Sequence, residues 1–118
     1  LLTQLDLQSN NINSLPESFG DLMNLRRFWI QNNELISLPN SFGDLSSLDL
    51  LMAQNNLLSS LPESICNIAT NQNISLNLFN NNICDEYIYD CLSDDFSCSD
   101  NDTNDGSCIY PQDTSNCP

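Results

Sequence analysis

One pattern of residues repeats at a constant interval through the first part of this 118-residue chain. Segments 2–24, 25–47 and 48–70 each fit the pattern LxxLxLxxNxLxxLPxx(F/I)xx(L/I)xx. Self-similarity at a period of this length is typical of a solenoid, in which each unit buries its apolar side only against its neighbours. The sequence therefore predicts stacked coils rather than a chain closed around one central core.

Each copy has the same order of parts. A short alternation of apolar and polar residues comes first and predicts a strand with one buried face. An asparagine follows (Asn10, Asn33, Asn56), and then a Leu-Pro pair (Leu15-Pro16, Leu38-Pro39, Leu61-Pro62). An altered fourth copy keeps Leu76, Leu78, Asn81 and Ile83 at the right spacing if two residues are inserted between Thr70 and Asn73.

The repeated asparagines suit the point where each strand ends and the backbone turns. Buried backbone groups at such a turn need hydrogen-bond partners, and an amide side chain offers two donor hydrogens and an acceptor oxygen. We therefore predict an inward structural column of Asn10, Asn33, Asn56 and Asn81. The residue before each asparagine, such as Asn32, is predicted to point outward and to tolerate alanine. The stretch after each proline is too short for an independent α-helix and predicts an irregular or single-turn return.

These residues and their spacing resemble the leucine-rich repeat family, in its 23-residue form with LPxxFGxL on the convex side. The resemblance covers residues 1–84 and implies an α/β-type solenoid. Parallel strands then line the concave face, short irregular or 3-10 returns cover the convex face, and residues 85–118 form an irregular acidic cap. Leu2, Leu5 and Leu7 open directly on a consensus strand, so the first coil is expected to be covered by upstream coils or by another subunit.

Six cysteines lie in the second half of the chain: Cys66, Cys84, Cys91, Cys98, Cys108 and Cys117. Nine of the sixteen acidic residues lie between Asp85 and Asp113. An even number of cysteines in a short segment without a hydrophobic pattern predicts disulfides made in an oxidising compartment, and hence an extracellular, secreted or cell-surface protein. The cysteine spacings and the absence of histidine disfavour a zinc site.

The sequences SICNI, NNNIC and QDTSNCP resemble the cysteine-closed C-terminal caps of secreted leucine-rich repeat proteins, especially bacterial surface proteins. The resemblance implies that Cys66, Cys84, Cys91 and Cys117 close the cap in two bridges. It also implies that Cys98 and Cys108 fasten the acidic loop to each other. Spacing alone does not select among the fifteen pairings that six cysteines allow.

Two modification or metal sites are candidates in this half. Calcium is the only cofactor that the sequence suggests, because oxygen ligands precede Gly106 near a tight turn. The candidate ligands are Asp100, Asp102, Asn104 and Asp105. No bidentate glutamate follows them, so a solvated, disulfide-tethered loop is the alternative interpretation. Asn73 and Asn101 begin N-glycosylation sequons, which matter in a source that glycosylates them.

Several classes of function are disfavoured. Histidine and lysine are absent, and no phosphate-binding loop or nucleophile elbow is present, so we expect no enzyme. The net charge of −14 disfavours nucleic acid, whose phosphates require Lys and Arg. Because no apolar stretch is long enough, we also expect no membrane insertion.

The strand register places unusual residues on the concave face. The chain's two cations, Arg26 and Arg27, and its single tryptophan, Trp29, fall on the same strand. The predicted ligand-binding residues are Arg26, Arg27, Trp29, Gln31, Leu50, Met52 and Gln54. Trp and Arg are enriched at interface hot spots, and an outward apolar cluster favours a partner. The local alternative is that Arg26 pairs with Asp49 and Arg27 with Asp6.

The sequence thus favours a non-catalytic recognition or adhesion module that binds a protein or a glycan. One alternative is a structural subunit that binds copies of itself, with solenoids stacked end to end in a surface layer or filament. Another is a targeting domain attached to a catalytic region. The fold does not choose among them, because one fold carries many functions.

Overall fold

The computed structural model describes residues 1–70, 74–92 and 109–118. Four short strands form one parallel sheet in chain order: β1 (Gln4–Asp6), β2 (Arg27–Trp29), β3 (Leu50–Met52) and β4 (Ser75–Asn77). The returns between them contain 3-10 helices at Glu17–Asp21 and Asn40–Asp44, and the short α-helix α1 (Ile65–Ala69). Two further 3-10 helices, Asp85–Tyr87 and Asp90–Leu92, follow β4. The predicted α/β solenoid is confirmed.

The strands pair in the register that the repeat predicts. Leu5 lies opposite Phe28, Phe28 opposite Leu51, and Leu51 opposite Leu76. The first two steps each span one repeat and the third is two residues longer, which matches the predicted insertion. These central residues point inward, and Phe28, Leu51 and Leu76 are buried. The residues on either side of them point to the opposite face of the sheet, because side chains alternate along a strand.

The core is a stack of equivalent side chains from successive coils. Phe19 of the first return lies over Phe42 of the second, with ring centroids 6.1 Å apart and ring planes only 3° from parallel. Leu25 and Leu48, at the start of successive coils, are also buried. Each coil therefore buries its apolar residues against the next coil, as expected for a solenoid.

The Phe-Gly pairs of the first two returns have a packing reason. A Cβ atom placed on Gly20 would lie 2.5 Å from the carbonyl oxygen of Ser41, and one on Gly43 would collide with the carbonyl oxygen of Ser64. Backbone therefore packs directly against backbone here. Ser64 reinforces this contact, since its hydroxyl donates to the Asn40 carbonyl at 2.7 Å.

Two disulfides close the C-terminal end of the solenoid. Cys66 in α1 bonds to Cys91, and Cys84 bonds to Cys117, with Cα atoms 5.6 and 5.7 Å apart. These are the four cysteines that the family resemblance assigned to the cap. The structure selects this pairing from the alternatives that the sequence left open. Cys98 and Cys108 lie outside the described residues.

No helix within the described ranges is long and apolar enough to cross a bilayer.

Candidate functional site

The inward asparagines form a hydrogen-bonded column along the turns that follow the strands. Asn33 donates from Nδ2 to the carbonyls of Leu7 at 3.0 Å and Ile30 at 2.9 Å, and its Oδ1 accepts from the amide of Ile12 at 3.0 Å. Asn56 makes the same three bonds one coil later. Each side chain thus links two coils, and the predicted inward structural role is confirmed for Asn33 and Asn56.

Asn81 repeats these bonds in the fourth coil. Asn10 differs, because its Nδ2 donates only to carbonyls of its own coil, those of Leu7 and Gln8. The column therefore connects coils from Asn33 onward.

Gln112 continues this column, which the sequence analysis missed. Its Nε2 donates to the carbonyl of Leu78 at 2.7 Å and to that of Ile109, and its Oε1 accepts from the amide of Ile83 at 3.1 Å. These partners correspond position by position to those of Asn33. Ile109 is fully buried, like the apolar residue three places before each asparagine from Asn33 onward. The end of the cap thus docks onto the fourth coil as a short fifth coil.

The signal for this coil is present but weak in the sequence. Ile109 precedes Gln112 by three residues, as Leu78 precedes Asn81, yet Gln112 follows Asn81 at a spacing clearly longer than one repeat. Two backbone bonds fix the docked segment: the Asn80 amide donates to the Pro111 carbonyl at 2.8 Å, and the Asp113 amide donates to the Asn81 carbonyl at 2.8 Å. The acidic cap and the solenoid are therefore joined by hydrogen bonds as well as by disulfides.

Gln112→Ala should loosen this docked segment. The change leaves the Ile83 amide and two carbonyls without their side-chain partner, and each such buried group costs about 1 to 3 kcal/mol. We expect amide hydrogen exchange at Ile83 to accelerate while exchange at Phe28, in the sheet centre, stays slow. Asn116→Ala, an exposed change in the same segment, is the control. Unchanged protection at Ile83 would contradict the proposed role of Gln112.

Two residues of the cap have shifted acidities. Hydrogen bonds from Ser115 lower the pKa of the Asp113 carboxyl. Burial raises the pKa of the Tyr89 phenol, with a smaller contribution from the negative charge of Glu63. The same phenol donates a hydrogen bond to the Leu61 carbonyl at 2.8 Å, which attaches the cap to the third return.

The predicted ligand-binding residues lie on the concave face, but they differ in exposure. Arg27 is exposed, whereas Trp29 and Leu50 are half-buried. Met52 and Gln31 are each only 9% exposed, and Gln54 is 6% exposed. Neighbouring parallel strands lie about 4.8 Å apart, so equivalent side chains shield one another. The open part of the concave face is accordingly its N-terminal half.

Side-chain contacts within the face illustrate this shielding. Gln31 donates to the Gln8 side chain at 3.1 Å, and Asn77 donates to the sulfur of Met52 at 2.6 Å. Among the described residues, three buried amide oxygens, those of Gln31, Gln54 and Asn77, have no donor.

The two arginines have different environments. Arg26 donates from Nε at 2.9 Å and from Nη2 at 2.6 Å to one carboxylate oxygen of Asp49, so this predicted local pair forms. Arg27 does not pair with Asp6, because Asp6 instead accepts hydrogen bonds from the backbone and side-chain nitrogens of Gln8. In the part of the chain that the structure describes, no hydrogen bond or ion pair engages the Arg27 guanidinium. The local alternative thus holds for one arginine and fails for the other.

The outward residues before the asparagines have a backbone requirement that the sequence analysis overlooked. Ser9, Asn32, Asn55 and Asn80 have φ angles of 58°, 60°, 59° and 53°. This left-handed conformation disfavours residues with a Cβ atom by about 1 to 2 kcal/mol, and asparagine tolerates it better than most. For Asn32→Ala we therefore expect a cost of about 1 kcal/mol, where the sequence alone predicts little change.

Several predicted sites lie outside the described residues. They are the sequon asparagines Asn73 and Asn101 and the candidate calcium ligands Asp100, Asp102, Asn104 and Asp105.

Comparison with known proteins agrees with this architecture. The Leucine Rich Repeat family model matches residues 1–22 and 24–45. Among solved structures, a leucine-rich repeat protein of Leptospira interrogans is similar, with 35% sequence identity over 70% of this chain and a TM-score of 0.64. The chain spans about one fifth of that protein's length, the covered share being 20%. No curated protein matches the chain.

Proposed function

Because this chain is a leucine-rich repeat solenoid, we propose that it is a non-catalytic extracellular recognition module that binds a protein partner through its concave face. Leucine-rich repeats form protein-interaction modules, and this chain contributes an open strand face with unusual chemistry. The observation that carries the proposal is the joint placement on β2 of Arg27, which pairs with no carboxylate among the described residues, and of a half-buried tryptophan, Trp29.

The chemistry of Arg27 and Trp29 supports the binding of a partner protein. Arginine and tryptophan are among the residue types that dominate interface hot spots. Within the described part of the chain, the Arg27 guanidinium has no carboxylate partner and the Trp29 indole is incompletely buried. Leu50 of β3 lies opposite Arg27, so an aliphatic side chain adjoins the cation. A partner that covers this surface removes apolar area from water and gives the guanidinium a hydrogen-bonded acceptor.

The extracellular location is supported by the disulfides Cys66–Cys91 and Cys84–Cys117. Structural disulfides persist in oxidising compartments and are rare in the reducing cytosol. The net charge of −14 disfavours non-specific binding to anionic polymers such as nucleic acids. Neither observation depends on the identity of the partner.

A photo-crosslinking experiment tests the proposed face. A benzophenone amino acid placed at Leu50 should capture a partner among extracellular proteins of the native source, and the same probe at Asn40 on the convex side should not. Capture from Leu50 should disappear in the Trp29→Ala background. Equal capture from Asn40 would place the working surface on the convex side. Capture of a second copy of this chain would instead favour the structural-subunit alternative.

Trp29→Ala should weaken association with the captured partner by about 2 kcal/mol or more, which is roughly thirtyfold in Kd. The indole lies on the outward side of β2, so the change removes contact area without opening the core. Calorimetry measures the affinity, and far-ultraviolet circular dichroism checks the fold. Trp29→Phe should retain most of the affinity. An unchanged Kd for Trp29→Ala would exclude this side chain from the interface.

A further inference from the structure

The first two strands border a small, half-open cavity on the concave face. It has a volume of about 220 Å³ and is lined by Thr3, Gln4, Arg26 and Arg27. Arg27 lies directly opposite Gln4 in the β1–β2 pairing. The hydroxyl, amide and guanidinium groups that line the cavity all offer hydrogen-bond donors. The cavity thus suits an acceptor-rich group of a few heavy atoms.

The charges around the cavity leave one positive charge uncompensated. Asp49 neutralises Arg26, and its side chain is 31% exposed while that of Arg26 is 65% exposed. The Asp6 carboxylate is held by Gln8, with bonds of 3.2 Å to the backbone nitrogen and 2.9 Å to Nε2. Among the described residues, Arg27 is therefore the one guanidinium at this cavity that is free to pair, and the local charge matches one monoanion.

From this geometry we propose that the cavity is a binding subsite for one carboxylate, supplied by an acidic side chain of the protein partner. The inference deepens the proposed function and rests on it. A planar guanidinium presents two parallel N–H donors that match a planar carboxylate. A phosphate dianion would require more positive charge than Arg27 alone provides.

The residues around Arg27 indicate which partner side chain would lie next to the bound carboxylate. Leu50 lies opposite Arg27 on the other side, and Trp29 lies two residues along the same strand face, about 7 Å away at the usual strand rise. An apolar side chain next to the acidic residue would contact both. This apolar border favours a peptide over a glycan, whose hydroxyl groups would lose hydration against the leucine.

The rest of the chain limits the partner's other charges. A net charge of −14 repels polyacidic surfaces at long range, and this repulsion acts before any contact forms. The subsite therefore selects one acidic residue on a partner surface that is otherwise neutral or basic.

Nuclear magnetic resonance titration with small probes tests the subsite without the partner. The probes are acetate, its neutral analogue acetamide, the blocked dipeptide N-acetyl-Glu-Leu-amide, glucuronate and sulfate, each at constant ionic strength. Acetate should shift the Arg27 Nε–H resonance saturably, and acetamide should not. The dipeptide should bind about tenfold more tightly than acetate and also shift the Trp29 indole resonance, because its leucine adds apolar burial.

Two variants make the titration decisive. Arg27→Gln should abolish the acetate-induced shift at the Thr3 and Gln4 amides. Asn40→Asp, which changes the net charge by the same amount on the convex side, should leave the shift intact. A shift that persists in Arg27→Gln, or one no larger than acetamide produces, overturns the subsite. Tighter binding of glucuronate or sulfate than of the dipeptide overturns the assignment to an acidic protein side chain.

The titration and the photo-crosslinking experiment can fail independently of each other. If Leu50 captures a partner but acetate does not bind, the concave face is the interface and the carboxylate subsite is wrong. If acetate binds at Arg27 but no partner is captured at Leu50, the subsite exists and the proposed recognition function fails.

Discussion

Replacing Asn56 with alanine is expected to lower the free energy of unfolding by about 3 kcal/mol. The side chain is almost completely buried, and its Oδ1 accepts from the Leu35 amide at 3.0 Å. Its Nδ2 donates to the carbonyls of Ile30 at 3.0 Å and Ala53 at 3.1 Å. Alanine leaves all three backbone groups unpaired in the core, where each costs about 1 to 3 kcal/mol and partial relaxation recovers some of the sum.

Equilibrium urea denaturation measures the effect, and two variants of the outward residue Asn32 serve as controls. Asn32→Gly should change stability by about 0.5 kcal/mol or less, because glycine accepts the left-handed backbone without a steric cost. Asn32→Ala should cost about 1 kcal/mol through the same backbone conformation. Equal losses for Asn56→Ala and Asn32→Gly would show that the asparagine column does not stabilise the fold.

Removing the Cys84–Cys117 disulfide with a Cys84→Ser, Cys117→Ser double variant is expected to have the largest effect on stability. The bridge joins residues 33 apart in sequence, and the loss of loop-closure entropy corresponds to about 3.7 kcal/mol in the chain-entropy description. The docked segment around Gln112 is also released, because Cys117 anchors its far end. Urea denaturation should show the loss, and hydrogen exchange at Ile83 should accelerate.

The second disulfide provides the matched comparison. Cys66→Ser with Cys91→Ser removes a bridge across 25 residues and should cost a similar amount, about 3.5 kcal/mol. It should leave the Ile83 amide protected, since Gln112 stays docked. Peptide mapping without reduction should recover the Cys66–Cys91 and Cys84–Cys117 pairs. Free thiols at two or more of these positions in untreated protein would disprove the cap as described.

Much of the solenoid follows from the sequence alone. The repeat predicted the parallel register and the inward asparagines. It also offered the Arg26–Asp49 pair as a local alternative to ligand binding, because the two residues lie at equivalent positions of neighbouring coils, and this pair forms. This success has a physical reason. Each coil of a solenoid contacts only its neighbours, so a fixed spacing along the chain becomes a fixed neighbour in space.

The pairing and burial of residues in the candidate site could not be predicted from the register alone. The register placed Arg27 and Trp29 on the outward face correctly, but it did not determine that Arg27 pairs with no carboxylate of the described residues. That outcome depends on the side-chain conformation of Asp6, which bonds to Gln8 instead. Likewise, the register placed Met52 outward, while its burial depends on side chains of the adjacent strand such as Asn77.

The disulfide pairing of the cap and the docking of Gln112 are known only from the tertiary structure. Composition predicted disulfides in the second half of the chain, yet six cysteines permit fifteen pairings, and only the folded arrangement brings Cys66 to Cys91 and Cys84 to Cys117. Gln112 joins the column across a long stretch that contains no repeat, so no period links it to Asn81. Periodicity determines neighbours only where the chain repeats, whereas a segment that returns over a long irregular stretch is positioned by its contacts.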